Sequence, residues 1–380
     1  VLERGRVAET WRGRWESFCL VTPNWTVRLP GGAYDGDDPD GYMARDEVVA
    51  HLERYAAPAP VREGVEVTAL WREGDGGFAL DTSAGAIRAR AVVVATGAYQ
   101  RPYRPAVAAT LPAGLLAIDV DGYRSPGELP DGAVLVVGSG QSGCQIAEEL
   151  QLAGRDVVLA CGRAPWAARR WGGRDLLWWA HETGFLDVRV EQLPEPAARL
   201  AGNIQASGHR GGHDLHYRTL RDLGVTLAGR FLGVSDGRAR FADDLAESVA
   251  WGDARRADLN ALVERTCEAR SWPAPEMPDP EPFDAGGAPA ELDLARVGAV
   301  VFATGYRPDY SGWIDVPGAF DERGFPFHTD GAGTAAAGLH FAGVHFLRKR
   351  KSSLLIGVGE DAALVAGAIA SNYDDRSHGP

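Results

Sequence analysis

The chain has 380 residues, 45% hydrophobic and 24% charged, with 52 Asp and Glu against 39 Lys and Arg, giving a net charge of −13 at pH 7. That length supports two domains with substantial cores. The acidic balance argues against nucleic acid or an anionic membrane as a partner. No apolar run reaches the ~20 residues of a membrane span. No signal peptide is visible, so a cytoplasmic location is expected.

Met43 to Ala57 reads as a helix, with Val48, Val49, Leu52 and Tyr55 on one face. Val65–Leu70, Gly77–Asp81 and Ala86–Val94 read as strands of a small antiparallel layer, the last ending in Ala95-Thr96-Gly97. Val134–Val137 has the unbroken apolar character of a buried parallel strand. It breaks into Gly138-Ser139-Gly140-Gln141-Ser142-Gly143, and a helical pattern follows through Cys144, Ile146, Ala147 and Leu150. Strand, G-x-G-x-x-G and helix together form a dinucleotide-binding fingerprint. Gly138 would allow the tight turn, Gly140 the approach of a pyrophosphate, and Gly143 close packing of helix on strand. The helix N-terminus would offer free N–H groups and a positive dipole end to the phosphates.

The next strand, Arg155–Cys161, lacks at its end the acidic residue that an NAD site places there. Gly162-Arg163 follow, then Arg169, Arg170 and Arg174, with no acid before Asp175. Arginine in that place marks a ribose phosphate, so NADPH is expected, with Arg163 as its first ligand. Arg169, Arg170 and Arg174 are equally compatible with a solvated loop. Trp272 to Pro289 is rich in Pro and acids and should form a surface loop. Val300–Phe302 then leads into a second Ala303-Thr304-Gly305. The paired segments read as crossings where the chain leaves one nucleotide-binding domain and later returns. A helix is expected from Ser353 to Ile369.

Cys19, Cys144, Cys161 and Cys267 form no C-x-x-C and no metal-like spacing, so neither a redox disulphide nor a metal is expected. Cys144 and Cys161 read as small core residues. His209, His213 and His216, around Gly211-Gly212, read as a polar loop.

Several further motifs accompany the glycine loop: Trp11-Arg12-Gly13-Arg14-Trp15, Thr22-Pro23-Asn24-Trp25, Leu29-Pro30-Gly31, Tyr99 and Pro102 after the first ATG, Tyr306 to Pro308 after the second, and Gly338 to Gly343 followed by Ser352 to Leu355. Together they resemble the flavin-containing monooxygenases, the single-component FAD- and NADPH-dependent group, in their bacterial branch. The resemblance runs over nearly the whole chain. It implies an α/β fold of two Rossmann-like dinucleotide-binding domains, of the three-layer β-β-α type. The NADPH domain (131–295) would be inserted in an FAD domain (1–130 and 296–380). It also implies that NADPH reduces FAD and that O2 is captured as a C4a-(hydro)peroxyflavin. One oxygen then passes to a small lipophilic substrate.

By the same resemblance, Glu3 is the acid for the FAD ribose. Arg4, Arg14, Trp15, Val67, Ala95, Thr96, Gly97, Ala303, Thr304, Gly305, Gly343 and Leu354 line the cofactors. Asn24 is the catalytic candidate, a hydrogen-bond donor near the reacting flavin. A turn residue after Pro23 and a plain core tryptophan are the alternatives for Asn24 and Trp15. The family's ribose acid follows a first glycine fingerprint by about 20 residues. Only two residues precede Glu3 and the chain opens on Val, so about 30 residues, a strand, loop and helix, are expected to be absent and FAD binding weakened or lost. The family often carries a His four residues before a Tyr. Here Tyr123 fits but Asp119 stands in the His position. N- or S-oxidation is therefore expected over Baeyer–Villiger chemistry. An NADPH-dependent flavin reductase or oxidase, or an inactive NADP-binding fragment, is the alternative. The substrate and the oligomeric state, a homodimer included, stay open.

Overall fold

The computed structural model describes residues 1–74, 76–200 and 203–377. Helix α1 (Arg45–Ala56) precedes β1 (Val67–Arg72), β2 (Phe78–Thr82) and β3 (Ile87–Ala89), which pair antiparallel in that order. α1 buries Val48, Val49 and His51, whereas Tyr55 is 39% exposed, so its apolar face is narrower than the pattern predicts.

The stretch read as one strand from Ala86 to Val94 is in fact two. The chain bends at Arg90-Ala91, and β4 (Val92–Val94) joins a different sheet, parallel to the strand Leu339–Phe341. Close packing accounts for the bend. The Arg90 carbonyl lies 2.7 Å from where a Cβ on Gly338 would stand, and Val92 N donates to Gly338 O at 2.8 Å.

β5 (Leu116–Asp119), β6 (Ala133–Val137), β7 (Val157–Ala160), β8 (Thr226–Ala228) and β9 (Val297–Phe302) form an all-parallel sheet in the order β8-β7-β6-β9-β5. Every residue of β6 is buried, as a strand covered on both faces requires. Helix α2 (Gln141–Leu152) covers one face with Cys144, Ile146, Ala147 and Leu150, packed on Val134, Val136 and Leu159. Burial of each large aliphatic side chain contributes ~2 kcal/mol. Phe231, Phe241 and Leu294 close the other face. β5 and β9 lie outside the anticipated span of 131–295. β9 is hydrogen-bonded to both β6 and β5, which fixes all three in one sheet.

Helices α3 (Leu176–Glu182) and α4 (Leu245–Arg270) pack around Trp171, Trp179 and Val263. Trp272 to Pro289 lacks regular helix or strand, as expected, and is pinned where Arg218 Nε donates to Glu281 O at 2.6 Å. Helix α5 (Val358–Ser377) starts later than Ser353, after a 3-10 turn over Arg350–Ser353.

The two halves join at two neighbouring points. Gly97 (φ 83°) and Gly305 (φ 84°) each bend the chain in the left-handed region just after β4 and β9. Arg101–Pro102 pairs antiparallel with Tyr306–Arg307, and Tyr103 N donates to Gly305 O at 2.8 Å. Among the described residues no helix is long and apolar enough to cross a membrane.

Candidate functional site

In the order β8-β7-β6-β9-β5 the direction of winding reverses between β6 and β9. Ligands of open α/β sheets bind at such a switch point, outside the carboxyl ends of the strands. The glycine loop leaves β6 there, and Ala303-Thr304-Gly305 leaves β9 beside it. The loop's three glycines do three different things. Gly138 has φ 102°, and a Cβ on it would stand 2.6 Å from Ala303 O. Gly143 brings α2 so close that a Cβ would meet Gly138 O at 1.9 Å. Gly140, the residue before α2, faces open space, and no side chain caps the helix. The first turn of α2, including Gln141 and Ser142, therefore keeps N–H groups for an anion.

Ser139 faces inward rather than toward a ligand. Its hydroxyl lies 2.6 Å from Tyr217 Oη and accepts from Gly162 N at 2.9 Å, while its carbonyl accepts from Gln205 Nε2 at 2.7 Å. Gln141 Nε2 donates to Ile204 O at 3.1 Å. The loop is thus held rigid by Gln205 and Tyr217, both buried. Burial pushes the Tyr217 phenol and the Cys144 thiol well above their ordinary values, so both stay neutral. Sequence reasoning missed Gln205 and Tyr217, which lie far along the chain and carry no motif. Cys144 and Cys161 are buried as expected.

Beyond β7 the four arginines separate cleanly. Arg169 is buried and donates to Tyr42 Oη at 3.0 Å, Asp175 at 2.9 Å and Val21 O at 2.8 Å. Arg170 donates to the Gly211 and Gly212 carbonyls at 2.8 Å each. Arg174 lies over the Trp178 ring at 5.1 Å. Arg163, Arg170 and Arg174 are exposed, and Arg163 alone of the four has no hydrogen bond, ion pair or ring partner among the described residues. It stands at the end of β7, where a ribose phosphate would sit.

The histidines behind this region serve the fold. His213 Nε2 lies 2.6 Å from Glu148 Oε1, and that carboxylate raises its pKa. His216 packs tilted against Trp166 at 4.2 Å, and burial pushes its pKa down to about 4. No metal-like cluster occurs among the described residues.

The residues assigned to a flavin are more scattered. Glu3 lies on an extended segment beside Arg62–Val65 and accepts from Gly5 N at 2.9 Å through one oxygen. Arg4 is exposed, 3.8 Å from Glu66, and Val67 opens β1 next to it. Arg14 reaches Asp121 at 3.6 Å and Tyr306 Oη at 3.4 Å, so it does meet the second crossing. Thr304 donates to Tyr103 O. At the first crossing Ala95 and Thr96 are exposed, and Gln100 Nε2 donates to Thr96 Oγ1 at 2.9 Å and Gly97 O at 3.1 Å. Gly343 turns left-handed after Ala342, and Leu354 packs with Leu186 and Ile356.

Two expectations meet different surroundings. Trp15 is 4% exposed, packed on Phe18 and Tyr123 in the core under α2, where it offers a cofactor little surface. Asn24 is buried with its amide engaged: Nδ2 donates to Asp38 O at 2.9 Å and Oδ1 accepts from Met43 N at 2.7 Å. It closes the loop over residues 38–43 and keeps one Nδ2–H without an acceptor among the described residues.

Comparison with known proteins agrees with this geometry. Residues 1–173 match the family model described as pyridine nucleotide-disulphide oxidoreductase. A CzcO-like oxidoreductase of Geobacillus kaustophilus is 31% identical over 373 residues, covering 97% of this chain and 90% of the relative. The indole-3-pyruvate monooxygenase YUCCA1 of Oryza sativa is 33% identical over 156 residues, 40% of this chain and 38% of its own. The flavin-containing monooxygenase of Stenotrophomonas maltophilia shares the fold, with a TM-score of 0.64 at 17% identity over 95% of this chain and 87% of its own.

Proposed function

The chain belongs to the CzcO-like oxidoreductases, and from that premise we propose that it is an NADPH-dependent flavoprotein monooxygenase acting on a small lipophilic substrate by N- or S-oxidation. The observation that carries the reading is Arg163, an unpaired guanidinium at the end of β7 beside a glycine loop built for a pyrophosphate. The loop fits the dinucleotide: Gly140 leaves room in front of α2, and substitution of Gly138 or Gly143 would drive a Cβ into backbone atoms. When bound, NADPH supplies a hydride and FAD carries the electrons to O2.

The protein's own share is binding and orientation. Ser139, locked by Tyr217 and Gln205, keeps the loop's amides aimed outward. Arg163 selects the ribose phosphate. The Tyr306 hydroxyl donates to Asp121, and Arg14 reaches both, linking the crossing beside Gly305 to the first half of the chain. Glu3 keeps one oxygen without a donor among the described residues, and Ala95, Thr96 and Gly97 leave an open face; both suit a flavin nucleotide. The four cysteines are unpaired, and three of them are buried, which does not suit disulphide reduction.

The test is anaerobic mixing with FAD and NADPH, followed by air. Bleaching of the flavin by NADPH, with re-oxidation that delivers oxygen to an amine or sulfide, is the expected result. Absence of bleaching in a sample shown to hold FAD would sink the reading.

One observation favours a second outcome, NADPH oxidation that ends in hydrogen peroxide or a reduced acceptor. Asp119, in the position of the family's His, is held by Arg104 at 2.8 and 3.0 Å and offers no imidazole there. Peroxide yield per NADPH separates the two. Asp119→His should lower that yield if the position governs coupling, and an unchanged yield would remove Asp119 from the account.

A further inference from the structure

The segment Arg348-Lys349-Arg350-Lys351 holds four cations in a row, and three are neutralised. Arg348 pairs with Asp330 and Asp361 at 2.9 Å each, Lys349 with Asp187 at 2.8 Å and Glu360 at 2.9 Å, and Lys351 with Asp187 at 3.1 Å. Arg350 has no carboxylate partner among the described residues, in a chain with 52 acids. Its guanidinium instead lies between two phenyl rings, 4.2 Å from the centroid of Phe185 and 4.9 Å from that of Phe346. Among the described residues, Nε is buried without an acceptor and neither Nη makes a hydrogen bond. Burial lowers its pKa to about 10. Phe346 takes φ 49°, a left-handed conformation bulky residues rarely adopt, and in doing so sets its ring beside the cation.

The acids beside it, Asp187 and Glu360, are held by Lys349 and Lys351. His345 stacks edge-on against Phe346 at 5.2 Å, with Nδ1 3.4 Å from Ser353 Oγ, and burial pushes its pKa down to about 4, so it is neutral at pH 7. Phe185 follows α3, from the region of β5 to β9, whereas Phe346 and Arg350 precede α5. The cation therefore stands where the two halves of the molecule meet, on the segment between Gly343 and Leu354. A half-buried, unpaired guanidinium flanked by aromatic faces is the setting in which a bidentate carboxylate binds strongly: the fork matches its two oxygens, and the low local dielectric strengthens both bonds.

We propose that Arg350 recognises the substrate through a carboxylate, and that the substrate is a small, partly aromatic or aliphatic carboxylic acid. This rests on the proposed reading of the chain as a monooxygenase of a small lipophilic substrate. The test uses the purified chain, with calorimetry and thermal shift against phenylacetate, its neutral isostere phenylacetamide, and inorganic phosphate, with NADP+ titrated in parallel. Phenylacetate is expected to bind at least ~10-fold more tightly than the amide and phosphate. Arg350→Met should abolish that preference while leaving NADP+ affinity unchanged. If the Met variant fails to fold, Arg350→Lys, which keeps the charge and loses the fork, should still cost several-fold in phenylacetate affinity. Equal binding of acid and amide, or an acid preference that survives the substitution, overturns the proposal and leaves Arg350 as a packing residue. Phosphate binding as tight as phenylacetate's that Arg350→Met abolishes overturns the carboxylate assignment in favour of a phosphate group. Failure of the unaltered chain to bind NADP+ would count against the cofactor reading, separately from the phenylacetate result.

Discussion

In the half built on β5 to β9, the candidate nucleotide site is one continuous structure. Strand, loop and helix follow each other in sequence, Gly138 touches Ala303, and Arg163 follows the next strand by three residues. In the half built on β1 to β4, residues assigned to a flavin come from separate segments around positions 3, 14, 67, 95, 343 and 354. Few of them touch one another, and Val93 in the middle of β4 is 42% exposed. The first site is dictated by backbone geometry that only glycine satisfies. The second depends on side chains whose relation is set by tertiary packing, so its residues are harder to assign and easier to replace.

The comparison can be broken most severely at Gly143. With a Cβ placed 1.9 Å from Gly138 O, Gly143→Ala should cost ~3 kcal/mol and at least ~100-fold in NADP+ affinity, read by urea denaturation and calorimetry. Gly140→Ala, facing open space, should keep full stability and lose affinity alone; equal stability losses would show that the loop does not divide its work this way.

Acid sharpens the contrast next. His216 titrates near 4 when folded against ~6.5 unfolded, so the unfolded chain takes up a proton that the native state refuses. That stability is present above pH 6.5 and falls by up to about 3 kcal/mol as the pH drops toward 4. His213, raised by Glu148, acts oppositely: its contribution is full below pH 6.5 and lost as the pH rises through its elevated value. Urea midpoints between pH 4.5 and 7 should rise with pH, and His216→Phe should flatten that slope. A slope unaltered by the substitution would assign the acid lability elsewhere.

Arg163→Ala should weaken NADPH by ~10- to 100-fold and leave NADH unchanged. A parallel loss for both cofactors would mean the arginine serves the loop and not the ribose phosphate. The smallest effect is expected at Asn24. Asn24→Ala strips partners from the Asp38 carbonyl and the Met43 amide, for about 2 kcal/mol, with NADP+ affinity intact. A variant of full stability that fails in turnover would restore Asn24 to a direct chemical role.

The same contrast explains what could be read from the chain alone. The glycine loop, the buried strand before it and the unpaired Arg163 are local, and their physical requirements are written within thirty residues of sequence. The sheet's true extent was hidden because β5 and β9 are joined to β6 by hydrogen bonds across long separations. The break at Arg90 was invisible because the glycine that compels it, Gly338, lies at the other end of the chain. Gln205 and Tyr217 carry no motif and matter only because folding brings them under Ser139. Asn24 is a candidate by chemistry, and its amide also holds the loop over residues 38–43.

The hydrogen bond from Tyr103 to Gly305 has a consequence for how such a molecule can change over generations. Everything between those residues, the whole parallel sheet included, begins and ends at one spot on the surface of the other half. A stretch with its ends laced together can be enlarged, trimmed or exchanged as a cassette without rethreading any neighbouring strand. The large helical insertion around α3 and α4 fits that freedom. The half built on β5 to β9 can therefore be redrawn for a new ligand while the other half keeps its form.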